Sequence, residues 1–252
     1  MGFTCGLVGL PNVGKSTIFT ALSKHEVPRD NYPFCTIDPN VGVVKVPDDR
    51  FKLLEKVYDP DQIKPTTLEF FDIAGLVEGA SNGEGLGNQF LSHIQSVDAI
   101  IHVIRCFEDR DVTHIDNQLD PERDFQIVNQ EIILRDLQVI ETWIKKLEKQ
   151  TKSGQRENLK KLEILNEIKA LLDEGKPAKV YHSHPEEENF IKQLGLLTRK
   201  PVLLLGNVSE DHIMSGEESQ VVRDFEQFAM ESGNLFLKLS ANLELELSEL
   251  PP

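Results

Sequence analysis

The chain of 252 residues predicts an α/β fold, a mostly parallel sheet flanked by helices, on three observations. Short apolar runs alternate with segments of helical period. Several runs are near-continuously Val, Ile, Leu or Phe, as strands buried on both faces must be. The first of them passes directly into a glycine turn and a helix. Strands are expected at Thr4–Leu10, Val41–Val46, Thr67–Asp72, Ala99–Arg105, Pro201–Asn207 and Leu235–Leu239. Asp49–Tyr58 reads as a helix between the second and third, with Phe51, Leu54 and Val57 on one face. In such a sheet a ligand is expected at the carboxyl ends of the strands.

The first turn carries the first chemistry. Gly9-Leu10-Pro11-Asn12-Val13-Gly14-Lys15-Ser16 spells G-x-x-x-x-G-K-S, a phosphate-binding P-loop. Gly9 and Gly14 let the backbone curl so that successive N–H groups point at an anion, and the helix opening near Lys15 adds its positive end. Lys15 is expected on the β- and γ-phosphates and the Ser16 hydroxyl on Mg²⁺, with Asn12, Val13, Gly14 and Thr17 completing the nucleotide-binding set. A chance glycine turn is the alternative; the strand before it and the apolar helix after it (Ile18, Phe19, Ala21, Leu22) argue against that. The chain is read as a nucleoside triphosphate binder.

Further on, Phe70-Phe71-Asp72-Ile73-Ala74-Gly75 closes an apolar strand with D-x-x-G. Asp72 is expected to hold the Mg²⁺ shell through water, and the Gly75 amide to touch the γ-phosphate. Thr36, in the proline-broken loop from Tyr32 to Asn40, is placed to close over Mg²⁺ and the γ-phosphate, unless that loop is ordinary surface. Gly79, Gly83, Gly85 and Gly87 crowd the segment after Gly75, so it reads as mobile. Two such loops beside a γ-phosphate suggest an order–disorder switch.

These motifs together, P-N-V-G-K-S-T, Y-P-F-C-T-I-D-P-N and D-I-A-G-L-V-E-G-A-S-N-G-E-G-L-G-N-Q-F, resemble the Obg-related P-loop proteins and, within them, the Obg-like ATPases of the YchF group. The resemblance covers essentially the whole chain. It implies a P-loop NTPase with a Ras-like G domain, an inserted antiparallel coiled-coil hairpin and a C-terminal TGS domain. It further implies a cytoplasmic Mg²⁺-dependent nucleotide hydrolase that associates with the ribosome. The sequence ends at Leu250-Pro251-Pro252, where such a protein continues into the TGS domain, so a fragment or a short form is expected. The nucleotide-binding G domain is expected in residues 1–123 and 200–252, and the helical insertion in 124–199.

The base is expected to be adenine. Guanine-specific pockets use N-K-x-D, whereas this chain offers Asn207-Val208-Ser209-Glu210 after its fifth strand. A carboxylate aimed at the acceptor N1 of adenine would repel it, but a longer Glu210 can swing aside, leaving Asn207 and backbone groups to read the base. A degenerate GTPase is the alternative. Ser240 and Ala241, after the sixth strand, join Asn207, Val208 and Glu210 in the nucleotide set. Replacing Val208 with Lys and Glu210 with Asp is expected to move the preference toward GTP.

Leu76 follows D-x-x-G where switch GTPases place a water-orienting glutamine, so catalysis needs another source. Asn12 corresponds to an asparagine that, in related potassium-activated hydrolases, helps hold a monovalent cation; here K⁺ would neutralise transition-state charge. Simple turn-shaping is the competing role. His114, in the polar loop after the fourth strand, is a second catalytic candidate against an ordinary solvent-facing histidine. His182 and His184 lack further ligands at metal spacing and read as loop.

Phe125–Gly175 forms the other predicted feature. Ile133, Leu137, Ile140, Ile144 and Leu147 repeat with heptad spacing, and Leu159, Leu162, Leu165, Ile168 and Leu172 follow less regularly after a turn at Thr151–Gly154. An antiparallel hairpin with arms of similar length is expected. Its tip carries Lys145, Lys146, Lys149, Lys152, Arg156, Lys160 and Lys161 against Glu148 and Glu157, in a chain of net charge −15. Such a tip is either a solvated face or a surface for RNA phosphates.

Composition narrows the classes. The acidic balance argues against the whole surface binding nucleic acid. No apolar run approaches a membrane span and no leader precedes the first strand. Three scattered cysteines are expected as reduced thiols. The leading expectation is a Mg²⁺-dependent ATPase, binding GTP more weakly, that acts as a ribosome-associated switch regulating translation or a stress response. An Obg-type GTPase and a nucleotide-gated ribosome-binding protein with incidental hydrolysis are the alternatives; a metabolic kinase fits less well, since nothing resembles a lid.

Overall fold

The computed structural model describes residues 2–23, 40–73, 93–108, 119–151, 156–216 and 219–250. One six-stranded sheet carries β1 (Phe3–Val8), β2 (Val41–Lys45), β3 (Thr67–Asp72), β4 (Ala99–Arg105), β5 (Val202–Asn207) and β6 (Leu235–Leu239), in the order β2-β3-β1-β4-β5-β6. The third, fourth and sixth strands fall where the sequence puts them. β1 stops at Val8, before the glycine turn, and β2 at Lys45. β5 opens one residue late because Pro201 has no N–H for the ladder; its carbonyl alone accepts from Ile100 at 2.9 Å. Leu7, Val8, Val103, Ile104 and Leu204 are buried, as expected of strands covered on both faces.

The sheet is parallel except at one edge, where β2 runs antiparallel to β3. The helix between them, α2 (Arg50–Tyr58), forms as predicted, yet none of its residues is buried and Leu54 and Val57 are exposed. Parallel neighbours need a crossover, usually a helix laid on the sheet, whereas antiparallel ones do not. α2 buries none of its residues, and the chain returns antiparallel.

The other helices of the body are α1 (Lys15–Ser23), α6 (Glu210–Ser215), α7 (Gln220–Glu231) and α8 (Ala241–Glu249). α7 begins where the Ser219 Oγ accepts from the Val222 N–H at 3.3 Å, and lays Val222, Phe225 and Ala229 against Ile104 and Leu204. α8 packs on α1. No helix among the described residues is long and apolar enough to cross a membrane. Cys5 and Cys106 are buried free thiols; burial, with Asp124 beside it, pushes Cys106 up to about 12, so it stays protonated.

The arm departs from the expected hairpin. α3 (Pro121–Thr151) and α4 (Arg156–Asp173) are unequal, at 31 and 18 residues. α3 begins in the body, where Val128 and Ile132 join the sheet core, and continues outward with Ile133, Ile140 and Leu147 in a second core. Lys169 lies 3.6 Å from Glu141, pairing residues nearly equidistant from the turn, as antiparallel helices do. The predicted seam of α3 holds. On α4, Leu165, Ile168 and Leu172 are buried, but Leu159 is 49% exposed and Ile164 takes an inward position instead. Phe190, Ile191 and Leu194 of α5 (Glu188–Leu194), a helix absent from the sequence reading, complete this core; Trp143 meets Phe190 edge-on at 5.9 Å.

A buried carboxylate joins the arm to the chain that leads into β5. Asp136 of α3 is 0% exposed and accepts from the Leu197 N–H (2.8 Å), the Thr198 N–H (2.8 Å) and the Thr198 hydroxyl (2.7 Å). Burial pushes its carboxyl upward, against the pull of these donors and of Arg135.

Candidate nucleotide site

Five strands bring their carboxyl ends to one rim, and every described element of the predicted site lies on it. The P-loop leaves β1, Asp72 ends β3, Phe107 and Glu108 follow β4, Asn207–Glu210 close β5, and Ser240 and Ala241 follow β6. The turn is possible only with its glycines. A Cβ on Gly9 would lie 2.5 Å from the Val103 carbonyl oxygen, and Gly14 sits at φ +92° against the Asn207 amide. Asn12 adopts φ 63°, the left-handed conformation that asparagine tolerates better than most residues. The Ile18 N–H bonds the Gly14 carbonyl at 3.0 Å as α1 begins, leaving the first amides of the helix directed at the rim.

Lys15, Ser16 and Asp72 meet here. The Lys15 ammonium forms an ion pair with Asp72 Oδ1, and the Ser16 hydroxyl donates to Oδ2 at 3.2 Å. Parallel pairing of β1 with β3 sets this distance, since Leu7 stands opposite Asp72. The groups predicted for the phosphates and for Mg²⁺ are therefore adjacent, and both oxygens are hard donors of the kind Mg²⁺ prefers. Two contiguous cavities open around them. One of about 360 Å³ is lined by Leu10, Pro11, Asn12 and Gly14–Thr17; another of about 430 Å³ shares Asn12, Gly14 and Thr17 and extends past Phe107 and Glu108 to Asn207–Glu210 and Ser240–Asn242. Together they suit a nucleotide, with its phosphates on the P-loop.

A family model described as 50S ribosome-binding GTPase matches residues 4–134. The Ribosome-binding ATPase YchF of Bacillus subtilis is 44% identical over 250 residues, covering 99% of this chain and 68% of its own length. Its Escherichia coli O157:H7 counterpart is 41% identical, with the same coverage. The solved structure of the Schizosaccharomyces pombe YchF GTPase matches with a TM-score of 0.84 at 35% identity, over 99% of this chain and 68% of that one. The chain belongs to the YchF family. Its bacterial relatives are named ATPases and the fission-yeast protein a GTPase, so the base end of the cavity matters most.

Within this YchF fold, Asn207 has a different position from the one expected of a base reader. Its Nδ2 donates to the Val13 carbonyl at 3.0 Å and its Oδ1 accepts from the Ala241 N–H at 2.9 Å. The side chain thus ties the P-loop to the start of α8, with both ends of its amide engaged. Val208 borders the cavity, but it is 2% exposed and packs with Ile104, Leu204 and Phe225. A lysine there would carry its charge into that cluster, so the paired replacement with Glu210 does not simply rebuild N-K-x-D. Glu210 opens α6 and lines the cavity, after Ser209, whose hydroxyl accepts from the His212 N–H at 3.3 Å.

Phe107, with Glu108 and Asn242, lines the cavity although sequence reasoning missed it. Arg105, buried at the end of β4, donates to the Phe107 carbonyl at 3.1 Å and holds its guanidinium 4.8 Å from the ring centroid. The available signal was an aromatic residue just past a strand's carboxyl end. Thr36, Gly75, Leu76 and His114, with the two predicted switch loops, lie outside the described residues. His182 and His184 lie in the loop before α5.

Proposed function

We propose that the chain is a Mg²⁺-dependent nucleoside triphosphatase that prefers ATP to GTP and whose nucleotide state governs association with the ribosome. The meeting of Lys15, Ser16 and Asp72 at the mouth of the P-loop carries this reading. Lys15 and the first amides of α1 bind and orient the phosphates. Ser16 and Asp72, joined by Thr36, would hold Mg²⁺, which when bound neutralises charge on the phosphoryl oxygens. Val13, Gly14 and Thr17 are assigned to the phosphates, with the Gly75 amide at the γ-phosphate. Phe107 offers a face to the base, while Glu210, Ser240 and Ala241 border it. Asn207 serves by holding the P-loop against α8.

Preference for ATP is supported by the absence of a Lys and Asp at positions 208 and 210, and by the names of the bacterial relatives. GTP remains the weaker ligand, and an Obg-type GTPase is the competing reading, favoured by the fission-yeast name. Catalytic help is assigned to His114 and to K⁺ held at Asn12, since Leu76 cannot orient water. Residues 1–123 and 200–252 act as the nucleotide-binding body and 124–199 as the insertion, whose first turns (Phe125, Val128, Ile132) pack with the body before the arm leaves it near Ile133. Ribosome association implies a cytoplasmic location and a role in translation or a stress response, with the basic arm tip as the surface for rRNA. At the tip Lys161 pairs with Glu157 at 2.7 Å and lies over Phe190, Lys146 stands over Trp143, and Lys145, Lys146, Lys149 and Lys160 are all exposed.

Calorimetry with ATP and GTP in parallel, each with and without K⁺, tests the base and the cation. Tighter ATP binding is expected, and equal or inverted affinities overturn the assignment. Turnover measured with ribosomes and with K⁺ tests the switch. Stimulation by either is expected; if neither accelerates hydrolysis, nucleotide-gated binding replaces it.

A further inference from the structure

Away from the phosphates, a cavity of about 280 Å³ lies against β4 and β5, beneath the root of the arm. It is bounded by α3, by α7 and by the segment that follows α4. Its walls are mainly apolar, with Phe125, Ile132 and Phe228 contributing, and its size approaches that of small-molecule sites. Dry apolar cavities need no further explanation. This one holds His102, which is 3% exposed and whose Nε2 has no hydrogen-bond partner among the described residues. Buried polar atoms are nearly always paired, so an unpaired one points to a group supplied from elsewhere. The ring rests 5.6 Å from Phe125 and stays neutral, because burial holds its pKa at about 3; it therefore offers one donor and one acceptor.

Lys179, an exposed residue, also lines the cavity and donates to Asn234 Oδ1 at 2.7 Å. It has no carboxylate partner among the described residues. An ammonium beside an apolar cavity, with only a neutral amide for company, favours an anionic guest.

We propose that this cavity is a second ligand site, distinct from the nucleotide site, for a small organic acid with one carboxylate, an apolar aromatic or aliphatic body and a hydroxyl. Lys179 takes the carboxylate, Phe125 and Phe228 flank the body, and His102 pairs with the hydroxyl.

Para-hydroxyphenylpropionate is the probe, titrated into the full chain by calorimetry and by NMR of the isoleucine and valine methyl groups. Saturable binding is expected, with shifts at Ile100, Ile132 and Val202. Phenylpropionate, lacking the hydroxyl, and the primary amide of the probe, lacking the charge, should each bind about tenfold more weakly. Lys179→Met should erase the preference for acid over amide while leaving ATP affinity unchanged. His102→Phe should erase the preference for the hydroxyl, and Lys179→Met, at an exposed position, keeps the test valid if His102→Phe does not fold. No binding of the probe, shifts confined to the P-loop rim, or equal affinity for all three compounds would each overturn the proposal.

Discussion

Asp72 and Asp136 are both carboxylates that gather donors from a distant part of the chain, 57 and 62 residues away, yet they do so in opposite ways. Asp72 is partly exposed at a strand end and takes a lysine ammonium and a serine hydroxyl. Asp136 is sealed inside the arm joint and takes two backbone N–H groups and a threonine hydroxyl. An ammonium on a four-carbon stem can turn to a phosphate, and a hydroxyl rotor to a metal, without moving the backbone. A backbone N–H cannot be re-aimed without unfolding its turn. Exchangeable partners thus stand at the cavity, and fixed ones where the arm must not shift.

Breaking the fixed cluster should have the largest effect. Asp136→Ala leaves buried donors unpaired and is expected to lower stability by about 3–5 kcal/mol, as read by urea unfolding. A loss under about 1 kcal/mol would show that the joint is held by apolar packing instead. At the exchangeable cluster the balance reverses. Lys15→Ala should cost less stability than Asp136→Ala, since Asp72 keeps the Ser16 hydroxyl, but weaken ATP by about 1.5–3 kcal/mol, roughly 10- to 150-fold in calorimetry. ATP affinity unchanged within about threefold rejects the phosphate-site assignment.

His102 sharpens the contrast as a buried group whose Nε2 has no partner among the described residues. Its folded pKa of about 3 lies below its unfolded value of 6.5, so the unfolded chain binds the extra proton between those limits. The stability this neutral ring allows is complete above pH 6.5 and is lost as pH falls toward 3. Within that window the slope contributed is at most about 1.4 kcal/mol per pH unit. Urea midpoints taken from pH 7 to 5 should fall more steeply for the wild type than for His102→Phe; parallel curves would mean that the ring is hydrated.

The smallest effect on stability is expected farthest from both carboxylates. Reversing Lys145, Lys149 and Lys160 to Glu leaves the seam from Ile133 to Leu147 intact, and should change stability by less than about 1 kcal/mol and ATP affinity not at all. If the tip meets rRNA, ribosome co-sedimentation should weaken sharply, and wild-type binding should fall with salt at a slope of about −0.7 to −0.9 per phosphate contacted. Unchanged co-sedimentation removes the arm tip from the RNA-binding surface.

The P-loop was legible in the residues alone because its geometry is local: Gly9, Gly14, Lys15 and Ser16 stand within one turn and the start of one helix. The same holds for the α3 seam, where heptad spacing fixes which side chains share a face, and for the central strands β1, β4 and β5, whose apolar runs are drawn to the interior, whereas Leu235 and Leu237 of the edge strand β6 stay exposed. Tertiary structure alone decided the rest. β2 returned antiparallel to β3, and α2 between them buries none of its residues. Asn207 became a strut because β5 brings its amide between the P-loop and α8. Phe107 joined the site because Arg105 anchors it, and α5 closed the arm core that two helices left open. The sequence names each polar group but not its partner, since that partner is whichever distant residue the folded chain carries within hydrogen-bond reach.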